Sequence, residues 1–163
     1  MSVPKKSVSS SASAEQQLSS FIAKFKPGRQ KLIQSVRNAL RKRFPTANEL
    51  VYDYRKNFVI GYSPIESGSD AIVALTADAD GVRLIFNHGP DLPDPRKILL
   101  GNAGQTRFIW LESARDMLRP EVEALMTAAV RKARIPLRKS GRGEVIIKSM
   151  SWKQRPRKPT VKR

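Results

Sequence analysis

The sequence predicts an α+β domain, in which helices pack on a mainly antiparallel sheet of five to six strands in the order ααβββββαβ. Three observations carry this expectation. Apolar residues recur at helical spacing in two segments before Pro45 and in one after Pro120. Between them lie short runs rich in β-branched, aromatic or alternating residues. The turns joining most of those runs are too short for parallel crossovers, so neighbouring strands should run antiparallel.

Residues 1–12, rich in Ser with Lys and Pro, show no period and are expected to be unstructured. The domain proper is expected over 13–150. Ser13 and Gln16 fit a capping box, and Leu18, Phe21, Ile22 and Phe25 fall on one helical face. Lys26-Pro27-Gly28 breaks that helix. A second helix spans Gly28 to Arg43, with Leu32, Ile33, Val36, Leu40 and Phe44 as its stripe, and Pro45 stops it. Strands are expected at Leu50–Tyr54, Phe58–Tyr62, Ala71–Thr76, Val82–Phe86 and Arg107–Leu111. Asp78-Ala79-Asp80-Gly81 reads as a hairpin turn, and Val82, Leu84 and Phe86 share one strand face. The third helix has Asp116 or a neighbour as its cap, Pro120 at its first position, and Glu121 and Glu123 at the positive end of its dipole. Val122, Leu125, Met126, Ala129 and Val130 recur along it, and Lys132 and Arg134 close it. Glu144–Met150 reads as a last strand, and 151–163 as a basic tail without apolar period.

Composition narrows the function. The 163 residues carry 31 Lys/Arg against 14 Asp/Glu, a formal net charge of +17. That field attracts nucleic acid, anionic surfaces or acidic proteins. It is unevenly spread: Lys24 to Arg43 carry eight cations and no acid, and Arg131 to Arg163 carry thirteen with one acid, Glu144. The chain has no cysteine, so disulfides, thiolate metal sites and a cysteine nucleophile are excluded, and a reducing compartment is favoured. No apolar run reaches the roughly 18 residues of a membrane span, and the N-terminal segment lacks the apolar core of a secretory signal. A cytoplasmic protein is expected.

The stretch from Phe86 to Phe108 concentrates the unusual chemistry. It holds the only histidine, His88, with Asp91 and Asp94 at three-residue spacing, and Pro90, Pro93 and Pro95 stiffen it. His88 as a general base would need one of those aspartates to orient its ring. The simpler reading is a turn whose Asp side chains accept from nearby N–H groups. Gly101-Asn102-Ala103-Gly104, with Arg96, Lys97 and Arg107 around it, is a candidate anion nest. The simpler reading there is a short helix, Ile98–Leu100, ended by Gly101. No Gly-Lys-Ser/Thr follows, no helix opens on the glycines, and no Gly-x-Ser-x-Gly is present, so P-loop, dinucleotide and serine-hydrolase signatures are absent. The acids Asp78 and Asp80 sit on a hairpin tip.

Two binding surfaces are therefore in view, with no catalytic constellation, metal set or cofactor implied. One is a cleft beside Asn87–Arg107 for a small anionic ligand or an acidic partner, with His88, Asp94, Arg96, Lys97 and Arg107 as its candidates. The other is a sequence-independent nucleic-acid surface. It comprises Arg37, Arg41, Lys42 and Arg43 of the second helix, with Trp152, Lys153, Arg155, Arg157 and Lys158 of the tail. Some helix-2 charge also has a local reason, because cations suit a helix C-terminus.

Several residues in order resemble one family. They are Leu92-Pro93-Asp94-Pro95, Leu99, Gly101, Arg107, Leu111-Glu112-Ser113, Pro120-x-Val122, Leu125, Ile146-Ile147-Lys148-Ser149 and Lys153-Gln154-Arg155-Pro156-Arg157. The set, with Glu49-Leu50-Val51-Tyr52-Asp53, resembles the YdhG-like bacterial domain of unknown function over about Glu15 to Arg157. Phe108 stands where members tend to have His, and Ala103 where Gly is usual. The resemblance implies helices against an antiparallel sheet and a distant similarity to frataxin-type iron chaperones. The basic helices disfavour iron, which prefers carboxylate oxygens. Arg107 is expected to be partly buried, satisfying loop carbonyls or Asp94, since a buried charge needs partners.

Overall fold

A computed structural model describes the backbone of residues 3–150 and the side chains of residues 13–149. Its order is α1 (Val3–Ile22), α2 (Pro27–Arg43), β1 (Asn48–Asp53), β2 (Phe58–Ser63), β3 (Val73–Asp78), β4 (Gly81–Phe86), β5 (Arg107–Leu111), α3 (Pro120–Lys132) and β6 (Val145–Met150). Short 3-10 turns occupy Gly68–Asp70, Gly89–Asp91 and Ala114–Leu118. The fold is α+β, as expected. Among the described residues no helix is long and apolar enough to cross a membrane.

The strands form one six-stranded sheet in the order β5-β4-β3-β2-β1-β6. Neighbours from β1 to β5 pair antiparallel, while β6 lies parallel to β1, so the sheet is mixed. The parallel edge follows from the path after α3. The chain crosses the layer over residues 133–144 before re-entering the sheet, and such a crossover returns a strand in parallel.

Side-chain alternation decides which sheet face is covered. Ile60, Leu75, Leu84 and Ile109 lie in register across four strands, and all are buried. They meet Leu18, Ile33, Val36, Leu40, Val122 and Leu125 from the three helices in one core. Each such side chain contributes roughly 1.5–3 kcal/mol on burial.

Three local expectations change. The first helix begins at Val3, so the segment expected to be unstructured is helical from that residue onward, and Ser13 lies inside the helix. Pro4 is tolerated there because it falls in the first turn. The Gln17 side chain donates to Ser13 Oγ at 3.3 Å, one turn back, in place of a capping box. Asp116 caps the Ala114–Leu118 turn, in a reciprocal box with Ser113, and Arg119 precedes α3. Ile98–Leu100 is extended: Leu100 exchanges backbone hydrogen bonds with Phe108 at 2.8 and 3.0 Å. A helix fails there because the Asp94 carboxylate takes the Ile98 and Leu99 N–H groups, both at 2.9 Å.

The hairpin tip behaves as expected. Asp78 Oδ1 accepts from the Asp80 and Gly81 N–H groups, and Oδ2 pairs with Arg83 at 3.2 Å. The tail residues Trp152, Lys153, Arg155, Arg157 and Lys158 lie outside the described residues.

Candidate functional site

The Asn87–Arg107 segment leaves β4 and returns as β5, and its prolines and aspartates hold it in turns. The Gly89–Asp91 turn is closed by Leu92 N–H donating to the Gly89 carbonyl at 3.0 Å. Gly89 N–H donates to Gln105 O at 2.9 Å, tying the two ends of the loop together. That approach requires glycine: a Cβ on Gly89 would collide with Cβ and Cγ of Arg107. The Asn87 side chain reaches the Gly68 and Ala71 carbonyls, both at 3.4 Å, and fastens the loop to the segment before β3.

These ties open a cleft of about 400 Å³ between the loop, the start of β3 and the last turn of α3. Its apolar wall includes Ile72, Phe86, Leu92 and Ala129. His88 and Asp91 come from the loop, Asp70 from the 3-10 turn, Lys132 from the end of α3 and Arg134 from just beyond it. Arg134 donates to Asp70 at 3.0 Å, but the arginine side chain stays 74% exposed while the aspartate is 8% exposed. Asp70 therefore orients the guanidinium without covering it. Among the described residues, neither His88 nor Lys132 has a side-chain hydrogen bond or ion pair. The cleft thus offers two uncommitted nitrogen groups and a partly committed guanidinium above an apolar wall.

Of the five loop residues the sequence singles out, only His88 lines this cleft. Asp94 is spent on the backbone of Ile98 and Leu99. Arg107 is half-buried, and its Nη1 donates to the Gly104 and Thr106 carbonyls at 3.1 and 2.8 Å. It therefore satisfies the loop, through carbonyls and not through Asp94. Arg96 and Lys97 are exposed, and Lys97 adopts a positive φ of 53° that holds the turn. Phe108 points to the opposite sheet face, edge-on to Trp110 at 5.6 Å and 5.1 Å from the Arg83 guanidinium.

Lys132, Arg134 and Asp70 escape a reading of the sequence as site residues. The two cations already have a local explanation at the negative end of α3. No local signal shows that the segment before β3 folds across that helix end.

The helix-2 cations also find inward partners. Arg37 Nε and Nη2 donate to the two oxygens of Glu49 at 2.9 and 2.8 Å, and Nη2 also reaches Glu15 at 2.9 Å. The Tyr62 hydroxyl donates to Glu49 at 2.7 Å. Burial opposes the Arg37 charge, but the hydrogen bonds to Glu49 and Glu15 outweigh it and raise its pKa. The Arg37 hydrogen bond holds Glu15 below the usual carboxylate range against a smaller effect of burial. Burial first, then the Glu49 charge, pushes the Tyr62 phenol well up. Arg41 lies 3.6 Å from Glu49 and 3.8 Å from Glu15, and Arg43 pairs with Glu123 at 3.0 Å. Of the four, Lys42 alone has no carboxylate partner among the described residues.

Comparison with protein-family models, with curated proteins and with solved structures finds no match for this chain. Among the described residues no three His, Asp or Glu side chains gather as a metal set would require. The acid nearest the helix pair, Glu15, is tied to Arg37.

Proposed function

We propose that this chain is a non-enzymatic cytoplasmic binding module of YdhG-like type. It takes a small organic anion in the cleft between the Asn87–Arg107 loop and the end of α3. The observation that carries this is the pairing of an apolar wall with uncommitted nitrogen groups on one rim. Phe86, Leu92 and Ile72 supply dry contact for a carbon skeleton, while Lys132, His88 and the exposed side of Arg134 receive its anionic end. About 400 Å³ lies in the range of small-molecule sites. Asp70 and Asp91 reject a second negative charge placed deep in the cleft, which favours a ligand with one anionic end.

Binding rather than catalysis is supported by His88. Asp94, which could have oriented its ring in a His–Asp dyad, is spent on the Ile98 and Leu99 N–H groups. The absence of cysteine supports a reducing compartment.

Ligand-observed NMR with a panel of aliphatic and aromatic monocarboxylates and organic phosphates tests the cleft. At least one should bind, and Lys132→Glu should weaken it about tenfold, the order expected for one charge-assisted contact. A panel with no binder, or a binder indifferent to Lys132→Glu, would sink the proposal.

A further inference from the structure

A second surface lies at the other end of the sheet, where α2 begins and the β1–β2 turn projects. Lys24, Lys26, Arg29, Arg55 and Lys56 line one groove of about 900 Å³ with Phe25, and among the described residues no Asp or Glu lines it. The nearest carboxylates in the chain are largely committed. Asp53 holds Lys24, and Asp78 holds its own turn and Arg83. Asp80, beside the lining residue Ala79, is the one neighbouring acid with no side-chain partner among the described residues. Lys26, Arg55 and Lys56 have no counter-ion there, and Arg29 donates to the Asp78 carbonyl.

Local stability accounts for Lys24, which ties down the β1–β2 turn, and for Arg29, but not for Lys26, Arg55 and Lys56. The groove lies at the N-terminal end of α2, whose first turn contains no acid. That is the positive end of the helix dipole, where cations are disfavoured. The cations at the other end of α2 differ, because the dipole favours them and Glu15, Glu49 and Glu123 pair with Arg37, Arg41 and Arg43. Lys26, Arg55 and Lys56, gathered at that end without a counter-ion among the described residues, attract an anion from outside the chain.

The described backbone ends beside this surface. Met150, the last residue of β6, pairs with Asp53, two residues before Arg55. The chain therefore leaves the sheet beside the groove, and the 151–163 segment that continues from there carries six Lys/Arg and no acid. A single small anion does not need a groove this large lined by five cations; a repeating anion does.

We infer that this groove binds the phosphate backbone of a nucleic acid, without sequence preference. Lys26, Arg55 and Lys56 are its principal contacts. This site is independent of the cleft at His88.

The test is fluorescence anisotropy with the full chain and labelled oligonucleotides of about 20 nucleotides, single- and double-stranded, between about 50 and 200 mM salt. Arg55→Glu/Lys56→Glu is compared with Arg115→Glu/Arg142→Glu. The second pair makes the same charge change on a separate groove beside the C-terminal half of α2. All four side chains are exposed, and circular dichroism checks that both variants fold. The expected result is binding whose salt slope falls by about 2 in Arg55→Glu/Lys56→Glu. Affinity in that variant should drop at least about tenfold further than in the Arg115/Arg142 pair. Equal losses in the two variants would reduce the effect to bulk charge and overturn the assignment. Absence of binding by the unmodified chain would overturn it, as would displacement by polyglutamate as readily as by an oligonucleotide of equal charge. The latter outcome would point to an acidic protein instead.

Discussion

Arg37→Met should destabilise the fold by about 3–5 kcal/mol, the usual cost of leaving a buried charge without its partner. The magnitude comes from Glu49. Its side chain is 5% exposed, and after the substitution the Tyr62 hydroxyl would be its only close donor, with Arg41 at 3.6 Å. Methionine keeps much of the arginine's volume, so lost packing contributes little. Adding Glu49→Gln should restore most of the loss, because a neutral amide can still accept from Tyr62. Urea denaturation of the two single variants and the double variant closes the cycle. Additive losses would mean that the two residues act separately and that Glu49 is solvated in some other way. The same cluster sets a pH dependence. Arg37 lowers the Glu15 pKa in the folded state, so Glu15's contribution is complete above its unfolded value of 4.5. It is lost as pH falls through the lowered folded value. Arg37→Met should remove that part of the acid dependence.

The same residues show where sequence reading stops. The α2 stripe of Ile33, Val36 and Leu40 is legible because its period is local, and all three are fully buried. The strand Arg107–Leu111 and the Asp78–Gly81 turn are legible for the same reason. Arg37 looks like any other cation of a basic helix until Glu49 is placed opposite it, and that depends on which face of β1 meets α2. Glu49 itself sits in a buried stretch of strand, with Leu50 and Val51 after it. A carboxylate there is a signal of a buried partner, although the sequence does not say which. In the loop, turn chemistry correctly accounts for Asp94, and the loop-carbonyl role of Arg107 follows from the cost of burying a charge. The cleft is less legible because half its rim comes from α3 and from the segment before β3. Those cations satisfy a helix-end rule locally, and that rule conceals their second role. The N-terminal groove of α2 is the converse case. Its cations violate the helix-end rule, and the violation becomes visible once Arg55 and Lys56 are brought beside Lys26.

Gly143→Ala should cost about 3 kcal/mol or more, as expected when a side chain is forced against backbone that has no room to yield. Its N–H donates to the Pro45 carbonyl at 3.0 Å, and a Cβ there would fall deep inside the Ala47 carbonyl. The next residue makes the entry of β6 tighter still. Glu144 N–H donates to Asn48 Oδ1 at 3.0 Å, and its carbonyl accepts from Glu49 N–H at 2.8 Å. These contacts hold the parallel strand β6 against β1 at the residue that carries the buried carboxylate. Alanine would push β6 outward and strain the Glu49–Arg37 pair with it. Gly28→Ala is the matched comparison, since nothing lies within 4 Å of a Cβ at that helical position. It should be neutral or stabilise by up to about 1 kcal/mol through the unfolded chain. Urea midpoints of the two variants should therefore move in opposite directions or differ greatly. If Gly143→Ala matched Gly28→Ala, β6 would not be clamped at Pro45–Asn48. If stability fell while hydrogen exchange of the β1–β2 amides stayed protected, the damage would be confined to β6. Loss of protection across β1 as well would show that one glycine positions both the parallel edge and the buried ion pair.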